Sequence, residues 1–125
     1  MQVTEQTLLM KIQQQLSTND KANCLVLAPN PVMVEHFLAI MEDSGAISGW
    51  ESVGARFTKQ PSQFVVNFPS GARLTLSTAH CVKSLWKFRG QRYDLIGLLY
   101  GEHYTQEFHH RLELRLNSGS VIYAA

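Results

Sequence analysis

Leu85-Trp86-Lys87-Phe88-Arg89-Gly90-Gln91-Arg92-Tyr93-Asp94-Leu95-Ile96-Gly97-Leu98-Leu99-Tyr100-Gly101-Glu102 joins two unlike halves. Up to Tyr93 it interleaves cations with aromatic rings. From Asp94 to Tyr100 it is an almost unbroken apolar run of strand length, without the polar alternation of a half-solvated strand. A run of that kind is expected for a strand covered on both faces of a sheet, the arrangement of α/β layered domains.

The flanking sequence supports the same architecture. Cys24-Leu25-Val26-Leu27-Ala28 is a second uninterrupted apolar run and reads as a central parallel strand. Before it, Thr4 to Leu16 places Leu8, Leu9, Ile12 and Leu16 on one helical stripe, with Thr4 as N-cap, and Ser17-Thr18-Asn19-Asp20 ends the helix. After it, Asn30 and Pro31 supply an N-cap and a first-turn residue for a second helix buried through Val34, Phe37, Leu38 and Met41. Gly45 to Gly54 reads as a loop anchored by Ile47 and Trp50. Phe64 to Phe68 and Arg73 to Ser77 flank Pro69-Ser70-Gly71, an antiparallel hairpin signal. A short helix or loop is expected from about Ala79 to Phe88, a helix over Thr105 to Leu116, and a last strand over Val121 to Tyr123. The predicted order is α-β-α-β-β-α-β-α-β, a three-layer α/β domain whose mostly parallel sheet carries an antiparallel hairpin. No repeat or linker divides the chain, so residues 1–125 are expected to form a single domain.

The composition, 45% hydrophobic and 17% charged, is that of a globular protein and excludes the low-hydrophobicity signature of disorder. No basic region followed by an apolar run opens the chain and no segment approaches a membrane span, so a cytoplasmic location is expected. Cys24 and Cys81 do not make a disulfide framework; both lie in or beside apolar runs and are expected to act as small buried hydrophobes. The net charge of +1 conceals an asymmetry. Between Glu51 and Asp94 the chain has seven basic residues and no acid, whereas the remainder has four basic and ten acidic residues, so +7 is set against −6. A segment that long can form a basic face for an anionic partner.

Four pieces of the chain carry a family likeness: Cys24 to Asn30 with the helix after it; Asn67-Phe68-Pro69-Ser70-Gly71-Ala72-Arg73-Leu74; Phe88-Arg89-Gly90-Gln91-Arg92-Tyr93-Asp94-Leu95-Ile96-Gly97; and Phe108 to Leu116 followed by Gly119 to Tyr123. In order, they resemble the strand and turn after the nucleotide loop, a hairpin, the lead into the Walker B strand, and the following helix and strand of the phage terminase large-subunit ATPase domain. The resemblance implies a helicase-like P-loop NTPase fold. It also shows what a nucleotide site would lack. No G-x-x-x-x-G-K-[ST] loop is present, and the segment before the first strand has no glycine with which to cradle phosphates. In the family, the run equivalent to Asp94-Leu95-Ile96-Gly97-Leu98 is followed by an aspartate and a glutamate that hold magnesium and orient water; here those positions read Leu99-Tyr100, and Glu102 reaches them only through a bulge. The resemblance thus implies a degenerate relative, of phage or prophage origin, with no cofactor and no ATPase activity of its own. Met1 and the orderly first helix favour a complete gene product.

The expected activity is binding. Lys83, Trp86, Lys87, Arg89 and Arg92, together with Arg73 and Lys59, are the candidate nucleic-acid-binding residues, because cations neutralise phosphates and aromatic rings stack on bases. On an α-helix, Lys83 and Lys87 would share one face. The competing reading makes Trp86 and Phe88 core anchors and leaves the cations in water. An alternative function is a protein-interaction module that docks on a packaging motor or another ATPase, favoured by exposed apolar residues along a sheet edge. Elsewhere, His103, His109 and His110 with Glu102, Glu107 and Glu113 lack zinc-site spacing and read as a solvated helix face. Cys81 beside His80 lacks the geometry of a thiol and its base.

Overall fold

Residues 2–125 are described by the structure, a computed structural model. In chain order the elements are α1 (Glu5–Thr18), β1 (Asn23–Ala28), α2 (Pro31–Asp43), α3 (Ala46–Ser52), β2 (Arg56–Gln60), β3 (Gln63–Asn67), β4 (Arg73–Thr78), a 3₁₀ segment (Val82–Phe88), β5 (Leu95–Leu98), a short 3₁₀ turn (Gly101–His103), α4 (Gln106–Glu113) and β6 (Ile122–Ala124). The strands make one sheet in the order β2-β3-β4-β1-β5-β6. β1 is parallel to β4 on one side and to β5 on the other, β6 is parallel to β5, and β2-β3-β4 is an antiparallel meander.

Side chains alternate across a strand, so an apolar run survives intact only where both faces are covered. In β1, Cys24, Val26 and Ala28 face α1, α2 and α3, meeting Leu8, Ile12, Phe37 and Met41. Leu25 and Leu27 face the opposite layer, where Leu85, Phe88, Tyr93, Tyr104, Phe108 and Leu112 close the second core. Each fully buried leucine or phenylalanine contributes about 1.5–3 kcal/mol of transfer free energy. Thr4 and Asn30 cap α1 and α2, accepting from the N–H groups of Thr7 and Met33 at 3.1 Å each, and Pro31 opens α2. Tyr104 ties the second layer down: its hydroxyl donates to the Ala79 carbonyl at 2.6 Å and its ring stacks on Phe108 at 4.2 Å. No helix among the described residues is long and apolar enough to cross a membrane.

Several expectations are corrected. The stretch from Gly45 to Gly54 is not a plain loop but contains α3, which restarts after Gly45 adopts a left-handed φ of 84° and is held by Trp50, packed edge-on to Phe68 at 5.7 Å. β2 is missing from the predicted order because only Phe57 of its residues turns inward, stacking on Phe64 at 5.9 Å. Cys81 is exposed, whereas Cys24 is buried as expected, its thiol pushed up to about 12 by desolvation and by the nearby Asp94 carboxylate. The last helix is also shorter than expected, and the last strand begins at Ile122 rather than Val121.

Two residues of β5 and its approach position the sheet. Asp94 accepts from the Asn23 backbone N–H and from the Asn117 amide, each at 2.8 Å, so one carboxylate clamps the start of β1 to the turn after α4. Gly97 faces α1, and a Cβ there would lie 2.8 Å from both terminal methyls of the fully buried Leu8. Gly97→Ala is therefore expected to cost about 1–3 kcal/mol by overpacking, and less in a Leu8→Ala background. Denaturant melts of the four members of this cycle measure the coupling; strictly additive losses would contradict the close approach. Asp94→Ala leaves the Asn23 N–H without its acceptor and is expected to lose about 1–3 kcal/mol in the same melts.

Candidate nucleic-acid interface

The segment Val82–Phe88 is a 3₁₀ helix, and its three-residue repeat, unlike the α-helical one, stacks positions i and i+3. The sequence obeys that repeat. Leu85 and Phe88 form a buried ridge, with Val82 packed against it. Lys83, Trp86 and Arg89 form an exposed ridge. Cys81, Ser84 and Lys87 follow one another on the third, where the Cys81 thiol lies 3.7 Å from the Ser84 hydroxyl. Lys83 and Lys87 are consequently on different ridges, which corrects the shared face expected of an α-helix. Of the two rings, Phe88 is the core anchor, and Trp86 is 66% exposed.

Each predicted binding residue has a distinct setting. Arg89 lies over the Trp86 ring, its guanidinium carbon 4.7 Å from the ring centroid, a cation–π pair at the surface. The Lys87 ammonium donates to Ser77 of β4 at 3.3 Å and lies 5.8 Å from the Phe88 ring centroid; desolvation lowers its pKa. Arg73 opens β4 on the same side of the sheet as Ser77, since both are an even number of residues from Thr75. Arg73 and Lys87 together line a narrow cleft of about 70 Å³, shared with Thr75, Asn23, Gln91 and Tyr93. No carboxylate lines it. Burial pushes the Tyr93 phenol up to about 12, Arg73 and Arg115 pulling the other way, so it stays neutral and protonated at physiological pH.

Two predicted residues are placed elsewhere. Lys59 points to the opposite face, towards α2, and pairs with Glu35 at 3.3 Å. Arg92 donates to the Leu114 carbonyl at 2.9 Å, satisfying the end of α4. Lys83 lies towards the other end of the 3₁₀ segment and lines a separate cleft of about 480 Å³ with His80, Cys81, His103 and Glu107. There, hydrogen bonds from the Ser84 hydroxyl and then its backbone N–H lower the pKa of the Cys81 thiol. No group of His, Cys, Asp and Glu side chains among the described residues is arranged to hold a metal ion.

One cation of the basic interval was not among the candidate binding residues. Arg56 is paired across the sheet with Asn67, which is paired with Arg73, so the three stand in one cross-strand row. The signal was the hairpin register, which becomes readable only once β2 is known to be a strand. The row lies on the face where β2 and β3 carry exposed Arg56, Thr58, Gln60 and Asn67. At the far end of β5, Leu99 is buried, Tyr100 takes a left-handed φ of 57° with its N–H bonded to the Ala125 carbonyl at 2.7 Å, and Glu102 is exposed.

No family model matches the sequence, and no curated protein matches it either. Similarity is found among solved structures. The large terminase of a thermophilic bacteriophage superposes with a TM-score of 0.64 at 10% identity, over 91% of this chain and 28% of that one. The same terminase in complex with ADP gives 0.60 at 9% identity over the same shares. The large terminase ATPase domain of Thermus phage P74-26 gives 0.60 at 11% identity, over 96% of this chain and 54% of that domain. The chain thus spans between about a quarter and a half of the proteins it resembles. At such identities the likeness is one of fold, and the chain has an α/β fold like that of the phage large-terminase ATPase domain, with a six-stranded, mostly parallel sheet and an antiparallel hairpin.

Proposed function

We propose that this chain is a non-catalytic, phage- or prophage-type binding protein that contacts nucleic acid through the face bearing Arg56, Arg73, Lys87 and the Trp86–Arg89 pair. The observation that carries this reading is the absence of acids from that face. Three ion pairs are present among the described residues, His36–Glu5, Lys59–Glu35 and Arg111–Glu107. None involves Arg56, Arg73, Lys83, Lys87 or Arg89. Cations with no carboxylate partner, grouped on one side, attract the phosphate backbone without an internal competitor. Asp94, the acid that follows Arg89 in the chain, has both oxygens engaged by Asn23 and Asn117.

Loss of hydrolysis belongs to the same reading. Leu99 and Tyr100 stand where the terminase pattern has its acids: the first is apolar and buried and the second carries a phenol, so neither supplies the carboxylate that the pattern uses to hold magnesium. A second reading, a module that docks on a packaging motor or other ATPase, is favoured by exposed Val121 at the start of the edge strand β6.

Titration with short DNA separates the two. If three phosphates are neutralised, affinity is expected to rise about 40-fold as salt falls from roughly 200 to 50 mM, and Lys87→Glu combined with Arg89→Glu should lower the salt slope by about two units. Binding that ignores both salt and these substitutions would sink the nucleic-acid reading. ATP with magnesium is expected to leave the melting temperature unchanged, and a concentration-dependent rise would restore a nucleotide site to consideration.

A further inference from the structure

The cleft between β4 and the 3₁₀ segment has the make-up of an anion seat. At about 70 Å³ it has room for about two waters, hence for a single small ionic group and not for a whole nucleotide. Two cations line it, and the remaining polar lining, from Asn23, Gln63, Thr75, Gln91 and Tyr93, is neutral. Lys87 stands out because its ammonium is partly desolvated, yet its hydrogen-bond partner is a neutral hydroxyl, that of the fully buried Ser77. A partly desolvated ammonium facing only a neutral hydroxyl has lost some hydration without gaining a counter-ion, and an incoming oxyanion would supply one. Next to Lys87, on the adjoining ridge, Trp86 has Arg89 over one side of its ring and is still two-thirds exposed, which leaves area for a second stacking partner.

We propose that this face is a seat for single-stranded nucleic acid, in which one phosphodiester group enters the Arg73–Lys87 cleft and an unpaired base stacks on Trp86. The proposal rests on the nucleic-acid reading above and narrows it. A duplex holds its bases in their own stack and its phosphates on a stiff convex rail, so it cannot seat a phosphate in a recess and a base on a neighbouring ring together. A single strand rotates freely enough to do both, and stacking on an exposed ring tolerates any base.

The test compares a short oligothymidylate with a duplex of equal length at one salt concentration, read by tryptophan fluorescence and by anisotropy of a labelled strand. Trp50 is buried in the opposite layer, so quenching on binding reports on Trp86. The wild type is expected to prefer the single strand at least about tenfold. Trp86→Ala should weaken that binding about five- to 100-fold and abolish the quench, whereas Trp86→Phe should retain most of the affinity. Lys87→Met should reduce the single-strand salt slope by about 0.7, the share of one phosphate contact. Trp86 and Lys87 are both exposed positions, and unchanged melting temperatures confirm that the variants fold. Equal or tighter binding of the duplex overturns the proposal and leaves the broader reading standing. Binding of neither form takes both down. Single-strand binding that Trp86→Ala and Lys87→Met leave untouched overturns the proposal as well.

Discussion

The pairing of β1 along both of its edges, to β4 and to β5, is the constraint on which the remaining architecture depends. A parallel strand in that position has no side left for water, so its five inner residues from Cys24 to Ala28 must be apolar and a layer must cover each face. Three helices meet that demand on one face. On the other, α4 and the 3₁₀ segment cover β1 and β5. The 3₁₀ segment reaches Ser77 of β4 as well, and only β2, Asn67 of β3 and Arg73 at the start of β4 lie beyond this cover, where the sheet keeps a polar surface. The open basic face and the closed core are thus two results of one strand arrangement.

Much of this was legible from residue order because the signals were strong and local. The two apolar runs, the capped helices α1 and α2 and the Pro69-Ser70-Gly71 turn each announce themselves within about ten residues. α3 and β2 did not. α3 has seven residues, too few for an apolar stripe to repeat, and it depends on Phe68, far along the chain, to hold Trp50. β2 is an edge strand with one inward side chain and no alternation to detect. In both, a tertiary contact supplies what local propensity does not.

The binding residues divide for a similar reason. Clustering of cations along the chain was readable, but their assignment to faces was not. On a strand the side chains alternate, so Lys59 turns to α2 while Arg56, three residues earlier, turns to the opposite face. On the segment from Val82 to Phe88 the outcome turned on a repeat of three rather than 3.6, and that choice moved Lys87 off the ridge of Lys83 and Trp86 and set it over Ser77. The apolar spacing Val82, Leu85, Phe88 was the available clue.

The Asp94 clamp joins residues 71 positions apart in the chain, and β1 finds neither neighbour until the chain has passed β4 and then β5. Loops that long must close before the central strand gains anything from the closure, so the folding barrier is largely entropic and the folding rate is set by topology more than by any single contact. While the chain waits, Cys24-Leu25-Val26-Leu27-Ala28 is an unpaired apolar strand, the kind of segment that associates with its own copies. Efficient recovery of this protein from a denatured or newly synthesised state therefore depends on how quickly β5 arrives, and dilution or chaperone capture during that interval protects the strand that later becomes the best shielded part of the molecule.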